Sequence, residues 1–446
     1  MELITGVVED IQSPVLFSVP NNEFRFCFMT DAIQSAGITI KPISLNGDDG
    51  FIYGRTHDNH RIAIYSGDRE IRVYGKQMLN TSAYIVSSGN VNPDDINKFN
   101  GISFSGGTLN RVFRINGIEF DYSLEGGSIG KINDDSRVFD IEIAGKEIHV
   151  DLRSGISFNE GQDGKVIRNS GATLTLTFDQ EVPLSEIFTH YDAIRRVLSF
   201  MTYRKHVGFD SVSILRKTDE YDFPVESGKV YINEENSVEL KDYQRNISIE
   251  DLGDAFPALV SLFYETGSDS IAPIISFLPE NEKEVFYMTG DKLKAICSSL
   301  ENELEYVDDI QVEENAHIEE LKVLVKDYIK TYKKEHQDFP EGAYSLINNS
   351  IANWSLSLRE RVCALCQNYS AEISALNQTD EIIDDEAIKD FVKYRNSITH
   401  GNAKPMTMRV AETAFILSGV IYCCVLNRIG VTKEKILELA SYKLIR

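Results

Sequence analysis

Alternation of apolar and polar residues dominates the first half of the chain. Short runs of this kind recur between turns rich in Gly, Asn and Asp, and residues 138–152 are a long example. Further on, Leu174, Leu176 and Phe178 alternate with threonines, which is the two-residue period of a half-buried strand. The pattern predicts a β-rich region over residues 1–245, folded as a sandwich or barrel-like sheet.

Two local features interrupt this alternation. The Ala-Gly pair at 144–145 lies inside an alternating stretch and predicts a hairpin turn. Residues 183–205 repeat apolar residues every three or four positions, which predicts one helix packed against the sheet. The core-facing positions of that helix are Ile187, Tyr191, Ile194, Leu198 and Met201.

From about residue 246 the apolar period becomes helical. Helices are predicted at 291–307, 317–335, 353–369, 385–400, 409–427 and 433–444. In the second of these, the apolar stripe comprises Ile318, Leu321, Val325, Tyr328, Ile329 and Tyr332. Five or six helices around one almost wholly apolar member predict a compact bundle. The predicted fold class is therefore α+β, with a β-rich region at 1–245 and an all-α domain at 246–446 whose core is about 285–446.

Charge narrows the function classes. The 446 residues carry a net charge of −24, which argues against a protein that coats nucleic acid without specificity. The last 56 residues differ, since 391–446 contain nine Lys or Arg and three Asp or Glu, a local net of +6. A basic patch in this segment could still receive a polyanion.

Hydropathy and cysteine usage indicate a compartment. The N-terminal sequence shows no basic and apolar secretory pattern, and the apolar run at 414–426 is shorter than a membrane span. Six cysteines scattered through a large chain are typical of reduced core thiols. The Cys-x-x-Cys spacing at 363–366 lacks the two further ligands that a zinc site needs. We expect a cytoplasmic protein.

The segment DFVKYRNSITHGNAKP, residues 390–405, carries the candidate chemistry. Its helical phase puts Arg395 on an apolar stripe made by Ile388, Phe391, Val392 and Thr399. Burial of an unpaired guanidinium costs several kcal/mol. Arg395 is therefore expected to pair with a carboxylate, or to face a wet cleft or an interface. An ordinary helix end would explain a histidine followed by glycine, but it would not explain this arginine.

The spacing of three residues sets a geometric condition. Asn396 and His400 are four apart and share a helix face, whereas Arg395 and His400 are five apart, about 140° around an ideal helix. A single straight helix would not aim both side chains at one atom. Either the helix ends near Thr399, or two copies of the motif converge across a dimer.

The stretch RNSITHG resembles the R-N-x-x-x-H signature of the HEPN superfamily, whose members are helical bundles and often metal-independent ribonucleases. The β-rich region followed by a helical domain with this motif is similar in layout to the ApeA-like group of antiphage abortive-infection proteins. The resemblance implies three roles. His400 would be the general acid and base, and Arg395 would hold the scissile phosphate. Asn396 would orient His400 or the phosphate by hydrogen bonding.

The resemblance also implies a reaction and partners. Attack by the RNA 2′-OH would leave a 2′,3′-cyclic phosphate and a 5′-OH, with no metal or other cofactor. Transfer RNA is a reasonable target class, a homodimer would bring two motifs together, and a phage protein could be the trigger. HEPN sites often include a polar residue from an early helix, which makes Glu301 a candidate partner of Arg395.

Other interpretations stay open. Glu301 could be an ordinary exposed helix glutamate. The helical domain could be a non-catalytic module that binds a nucleotide or mediates dimerisation, with a ligand-binding N-terminal region. A hydrolase acting through paired carboxylates in the β-rich region is a third class, although no spacing singles out such a pair.

Overall fold

The chain divides by internal contacts into two units, Met1–Glu265 and Thr266–Arg446. The structure is a computed structural model. It describes residues 3–8, 15–20, 23–30, 49–66, 70–73, 76–88, 96–113, 118–123, 126–131, 136–160, 166–218, 221–233, 246–265, 272–280, 282–307, 316–352, 357–377, 383–399 and 405–444. The predicted fold class is confirmed, because the first unit is built on antiparallel sheet and the second is helical.

Sixteen strands are present among the described residues. They are β1 Leu3–Val8, β2 Val15–Pro20, β3 Arg25–Thr30, β4 Phe51–Thr56, β5 Arg61–Tyr65, β6 Glu70–Val73, β7 Lys76–Asn80, β8 Ala83–Ser87, β9 Lys98–Ser105, β10 Ile118–Ser123, β11 Gly126–Lys131, β12 Ser136–Ile143, β13 Lys146–Glu160, β14 Val166–Pro183, β15 Ser211–Thr218 and β16 Tyr221–Ile232. β10 and β11 form a hairpin of their own. The other fourteen form one antiparallel sheet in the order β12-β13-β14-β9-β15-β16-β8-β5-β4-β1-β2-β3-β7-β6.

Local sequence accounts for much of this sheet. Leu174, Leu176 and Phe178 in β14 are buried and the threonines between them are half-buried, as the alternation predicts. The predicted turn between β12 and β13 is also present. Ala144 and Gly145 both have positive φ there, the geometry that suits the twist of a two-residue hairpin.

Helices cover part of the first unit. They are α1 Leu109–Val112, α2 Ile187–Thr202, α3 Ile249–Leu252 and α4 Phe256–Tyr264, with 3-10 turns at Leu184–Glu186 and Gly253–Ala255. All five predicted core positions of α2 are buried. The helix packs on α4, where the rings of Phe200 and Phe263 lie 6.1 Å apart. α3 and α4, the first helices after residue 246, thus belong to the sheet unit.

The second unit is helical throughout its described part. Its helices are α5 Ala272–Ser276, α6 Glu282–Val285, α7 Gly290–Glu303, α8 Ala316–Glu335, α9 Glu341–Ala352, α10 Leu358–Asn368, α11 Ser370–Asn377, α12 Asp385–Thr399, α13 Met408–Arg428 and α14 Lys433–Tyr442. The sequence pattern did not indicate α9 or α11. α13 is long and apolar enough to cross a membrane, but its most apolar window is 72% buried by the protein itself. That burial is what a core helix of a bundle shows.

One predicted apolar stripe is not in the core. Four members of the stripe on α8 are exposed: Ile318, Leu321, Tyr328 and Tyr332. The inner face of this helix is made by buried Lys322 together with Val325 and Ile329, two members of the predicted stripe that are half-buried. The prediction that the full stripe of α8 faces a compact bundle is therefore wrong. Periodicity identifies an apolar face, but it does not say which surface covers it.

Candidate active site

The helix that carries the motif, α12, is fixed at its N-terminal end. The Asp384 carboxylate accepts a hydrogen bond from the Ala387 amide at 2.6 Å, which satisfies one of the open N–H groups of the first turn. Arg409 of α13 donates to both oxygens of the same carboxylate at 2.6 and 2.7 Å. These two interactions, the Ala387 hydrogen bond first, lower the pKa of Asp384. The carboxylate thus stays ionised and ties α12 to α13.

Arg395 extends from α12 to α7. Its Nη2 donates to Glu301 Oε1 at 2.5 Å, and its Nη1 donates to Asn396 Oδ1 at 3.2 Å. The side chains of Arg395 and Glu301 are 29% and 37% exposed, so the ion pair is partly open to solvent. The guanidinium is held from two directions. It still has N–H donors directed at neither Glu301 nor Asn396, in the planar arrangement that suits a phosphate.

Asn396 and Thr399 lie on the solvent side of the same helix. Asn396 is exposed, and its amide oxygen accepts from Arg395. Thr399 is exposed as well, so its predicted place on the buried stripe is wrong; its hydroxyl donates to the Arg395 carbonyl at 2.9 Å. The buried face of α12 is made by Ala387, Ile388, Phe391 and Ile398. Arg395 lies at the edge of that face, half-buried.

His400 and Gly401 lie outside the described residues. α12 is described as far as Thr399. The role of His400 as general acid and base stays a prediction from the motif.

α7 is anchored at both ends. Thr289 accepts a hydrogen bond from the Lys292 amide at 3.1 Å and caps the N-terminus. Near the C-terminus, Arg361 of α10 donates to the Leu304 carbonyl at 2.9 Å and to Glu305 at 3.1 Å. An anchored helix holds the Glu301 carboxylate in place against α12.

Cys297 lies one turn before Glu301 and is buried. Burial raises the pKa of this thiol to about 12; Glu301 raises it further, and Arg395 acts in the opposite direction. The sulfur is therefore a neutral thiol at physiological pH and not a nucleophile. It contributes apolar packing next to the ion pair. The sequence pattern alone does not indicate this role for a cysteine on a helix.

A second carboxylate of α7 faces the core. Glu303 is buried, and its Oε1 lies 3.4 Å from Nη1 of Arg428 in α13. Burial raises the pKa of Glu303, while Arg428 opposes that rise. The Arg428 guanidinium also stacks 3.6 Å from the centre of the Tyr306 ring. Two glutamates two positions apart thus lie in different surroundings: Glu301 at the edge of solvent and Glu303 in the core.

The structure brings three of the four candidate residues together. Arg395, Asn396 and Glu301 form one hydrogen-bonded group, and the predicted pairing of Arg395 with Glu301 is present as a contact. The catalytic roles of these residues stay predictions. Within the described part of the chain, no three His, Cys, Asp or Glu side chains are grouped so as to hold a metal ion.

Together the fold and the site define a class of protein. An antiparallel sheet unit is followed by a helical domain, and the Arg395-Asn396 motif lies on α12, the third helix from the end of that domain. Two family models match the chain. The model described as ApeA N-terminal domain 1 matches residues 31–261, and the model described as Apea-like HEPN matches residues 291–435. The chain belongs to the ApeA family of antiphage HEPN-domain proteins. Comparison with curated proteins and with solved structures gave no match.

Proposed function

We propose that the helical domain is a metal-independent endoribonuclease that acts in the cytoplasm as the toxic component of antiphage defence. The observation that supports this is the Arg395 guanidinium, held by Glu301 and Asn396 at the edge of solvent. An arginine with a purely structural role at the edge of the core needs only a carboxylate partner to balance its charge. An arginine that is also partly open to solvent and oriented by a neighbouring amide can bind a phosphate.

The proposed reaction uses the RNA's own nucleophile. His400 takes the proton from the 2′-OH, and the 2′-oxygen forms a bond to the adjacent phosphorus. The bond from phosphorus to the 5′-oxygen breaks, and that oxygen receives a proton from an imidazolium. The second proton carrier is His400 of a second copy in a homodimer, or the same histidine after exchange with solvent. The products are a 2′,3′-cyclic phosphate and a 5′-OH.

Arg395 contributes electrostatic stabilisation in this scheme. Negative charge accumulates on the non-bridging phosphate oxygens in the transition state, and a fixed guanidinium stabilises it more than the ground state. Glu301 prevents the arginine from swinging freely, and Asn396 sets the plane of the fork. Transfer RNA is the proposed substrate class, since HEPN nucleases commonly act on it.

The sheet unit is proposed to control the nuclease. A strong net negative charge of −24 disfavours indiscriminate RNA binding. Restraint of the helical domain, released when the sheet unit meets a phage product, would give a nuclease that is silent in uninfected cells.

Toxicity in cells tests this proposal. We would express the wild-type chain, Arg395→Ala and His400→Ala in bacteria, and follow growth with and without phage infection. The proposal predicts growth arrest by the wild type, at least during infection, and none by the two variants at equal protein levels. Protection by all three chains, or by none, favours the non-catalytic module instead.

A further inference from the structure

Three glutamates stand at alternate positions in the C-terminal part of α7, and each forms an ion pair with an arginine of a different helix. The three pairs are Glu301 with Arg395 of α12, Glu303 with Arg428 of α13, and Glu305 with Arg361 of α10. The side chains of Glu303 and Arg428 are 4% and 14% exposed, so this pair belongs to the core. The other two pairs lie at the edge of solvent.

The two solvent-edge pairs share one face of α7. Glu301 and Glu305 are four positions apart, which places them about 40° apart around the helix with about 6 Å of rise between them. The side chains of their partners, Arg395 and Arg361, are each 29% exposed. Two half-buried guanidiniums are thus anchored one helical turn apart along the same edge of α7.

The Arg361 guanidinium is held through one of its nitrogens. Its Nη2 donates to the Leu304 carbonyl at 2.9 Å and to Glu305 Oε1 at 3.1 Å. The N–H groups on Nη1 and Nε are directed at neither of these oxygens. An arginine held in this way keeps part of the planar set of donors that suits phosphate oxygens.

Capping of α7 accounts for one of these two contacts. The Leu304 carbonyl is among the last acceptors of the helix, which have no partner inside it and favour a nearby cation. A cap does not require the Glu305 carboxylate, nor a position one turn from Glu301. The placement of a second guanidinium beside the Arg395 pair is what a ligand with two negative groups needs.

RNA is a ligand of this kind. Successive phosphates of a nucleic acid strand carry one negative charge each, and their spacing is similar to the distance between residues i and i+4 of a helix. When the scissile phosphate lies on Arg395, the neighbouring phosphate is within the range of a guanidinium anchored one turn further along α7. Arg361 occupies that place.

We propose that Arg361 is a second phosphate-binding residue of the nuclease, which holds the phosphate next to the scissile one. This inference rests on the proposed function, because it takes RNA as the substrate. Arg361 has no part in bond breaking, and its contact is equally strong before and during the reaction. Its loss therefore raises KM and leaves kcat close to that of the wild type.

Arg361→Gln and Arg359→Gln are a matched pair of variants. Each removes one positive charge from α10 and one ion pair with a neighbouring helix, but Arg359 pairs with Asp385 and lies about 200° away around α10. Binding of an RNA oligonucleotide to the full chain carrying His400→Ala would be measured by fluorescence anisotropy over a range of salt concentrations. His400→Ala is included in every protein so that the RNA stays intact.

The two variants are expected to differ in affinity and in salt dependence. Arg361→Gln weakens binding about tenfold and makes the slope of log K against log salt concentration shallower by about 0.7, since one phosphate contact is lost. Arg359→Gln changes neither quantity. A purely structural role of Arg361 would lower the melting temperature and leave the salt slope unchanged.

A neutral linkage in the RNA then identifies the phosphate. An oligonucleotide with a mapped cleavage site would carry a methylphosphonate next to the scissile phosphate, on its 5′ or its 3′ side, attached to a 2′-deoxy sugar. On one of the two sides we expect this change to raise the KM of the wild type about as much as Arg361→Gln does. The change and the substitution together add little more, because both remove the same contact.

The outcomes separate this proposal from the proposed function. Cleavage by the wild type, with equal KM and equal salt slopes for Arg361→Gln and Arg359→Gln, overturns the role of Arg361 and leaves the nuclease standing. RNA binding whose salt slope falls in Arg361→Gln, without cleavage by the wild type, supports the phosphate site and contradicts the nuclease. A chain that neither binds nor cleaves RNA contradicts both.

Discussion

Arg395 and Glu301 are 94 positions apart in the chain, yet Nη2 of the arginine lies 2.5 Å from Oε1 of the glutamate. The contact joins α12 to α7, and both helices are fixed by interactions at their ends. Asn396 holds the second nitrogen of the fork. The guanidinium is therefore oriented before any substrate arrives, which is the property an electrostatic catalyst needs.

The first prediction concerns the shape of the Arg395 side chain. Arg395→Lys keeps the positive charge but loses the planar fork that contacts Glu301, Asn396 and a phosphate together. We expect the RNA cleavage rate to fall at least about tenfold, with little change in thermal stability, since a half-exposed ion pair contributes about 1 kcal/mol or less.

Arg409→Lys is the matched control. This residue also forms an ion pair between two helices of the bundle, but its partners are Asp384 and Asp390. We expect cleavage close to that of the wild type. An equal loss in both variants would mean that any helix-tying arginine matters, and that Arg395 has no special part in the chemistry.

The second prediction separates two roles of Glu301. Glu301→Gln keeps an oxygen that can accept from Arg395 while removing a negative charge close to the expected phosphate. We expect tighter RNA binding, about threefold in KM, with kcat largely kept. Glu301→Ala removes the anchor, and kcat is expected to fall by about tenfold or more.

Steady-state kinetics with a defined RNA measure this split. If Glu301→Gln and Glu301→Ala change kcat and KM alike, Glu301 does not orient the arginine. It would then be an ordinary helix glutamate that happens to lie beside it.

The third prediction is a pH dependence of stability in the sheet unit. His190 is buried against Phe99 and Phe178, its Nδ1 lies 3.1 Å from the Tyr264 hydroxyl, and its Nε2 has no hydrogen-bond partner among the described residues. Burial lowers its pKa to about 4, and the smaller effects of Glu186 and Lys146 oppose each other.

Between pH 4 and pH 6.5 the folded state therefore binds fewer protons at this site than the unfolded state. Stability falls as the pH falls through that interval, by about 2 kcal/mol at pH 5 relative to pH 8. The melting temperatures of the wild type and His190→Gln, measured from pH 8 to pH 5, should converge or cross as the wild type loses this contribution. A constant difference between the two would show that His190 does not titrate on unfolding in this range.

The fourth prediction concerns the close packing of strands around β9. A Cβ on Gly101 would lie 2.6 Å from the Leu176 carbonyl oxygen, a backbone atom that cannot move aside alone. Gly101→Ala is expected to destabilise the protein by about 1–3 kcal/mol. Gly290→Ala, where a Cβ meets no atom within 4 Å, is the control and should be neutral or slightly stabilising. Equal denaturation midpoints for the two variants would contradict this packing.

Local sequence patterns predicted most of the strands, turns and helices well. They did not predict which distant strands pair in the sheet. The burial of Leu174, Leu176 and Phe178, the turn at 144–145 and the buried face of α2 follow from residues close in sequence. The position of β9 between β14 and β15 does not, because the paired residues are 68 to 114 positions apart and leave no periodic signal.

The candidate site shows the same division. A cation on an apolar stripe indicated that Arg395 needs a partner, because an unpaired buried charge is costly. Nothing local identified which carboxylate would reach it, and Glu301 became a candidate only through the family resemblance. For α8 the local pattern gave a wrong prediction. Its apolar period is that of a core helix, but most of the stripe is exposed and no described part of the chain covers it.

Cleavage of RNA in excess EDTA tests the proposed metal-independent nuclease. Purified wild-type protein and the Arg395→Ala/His400→Ala variant would each be incubated with total bacterial RNA, with and without phage lysate, and the new ends mapped. We expect new 2′,3′-cyclic phosphate and 5′-OH ends from the wild type alone, at a rate at least about 100-fold above the variant. Equal cleavage by both proteins, or none by either under any of these conditions, would contradict this expectation.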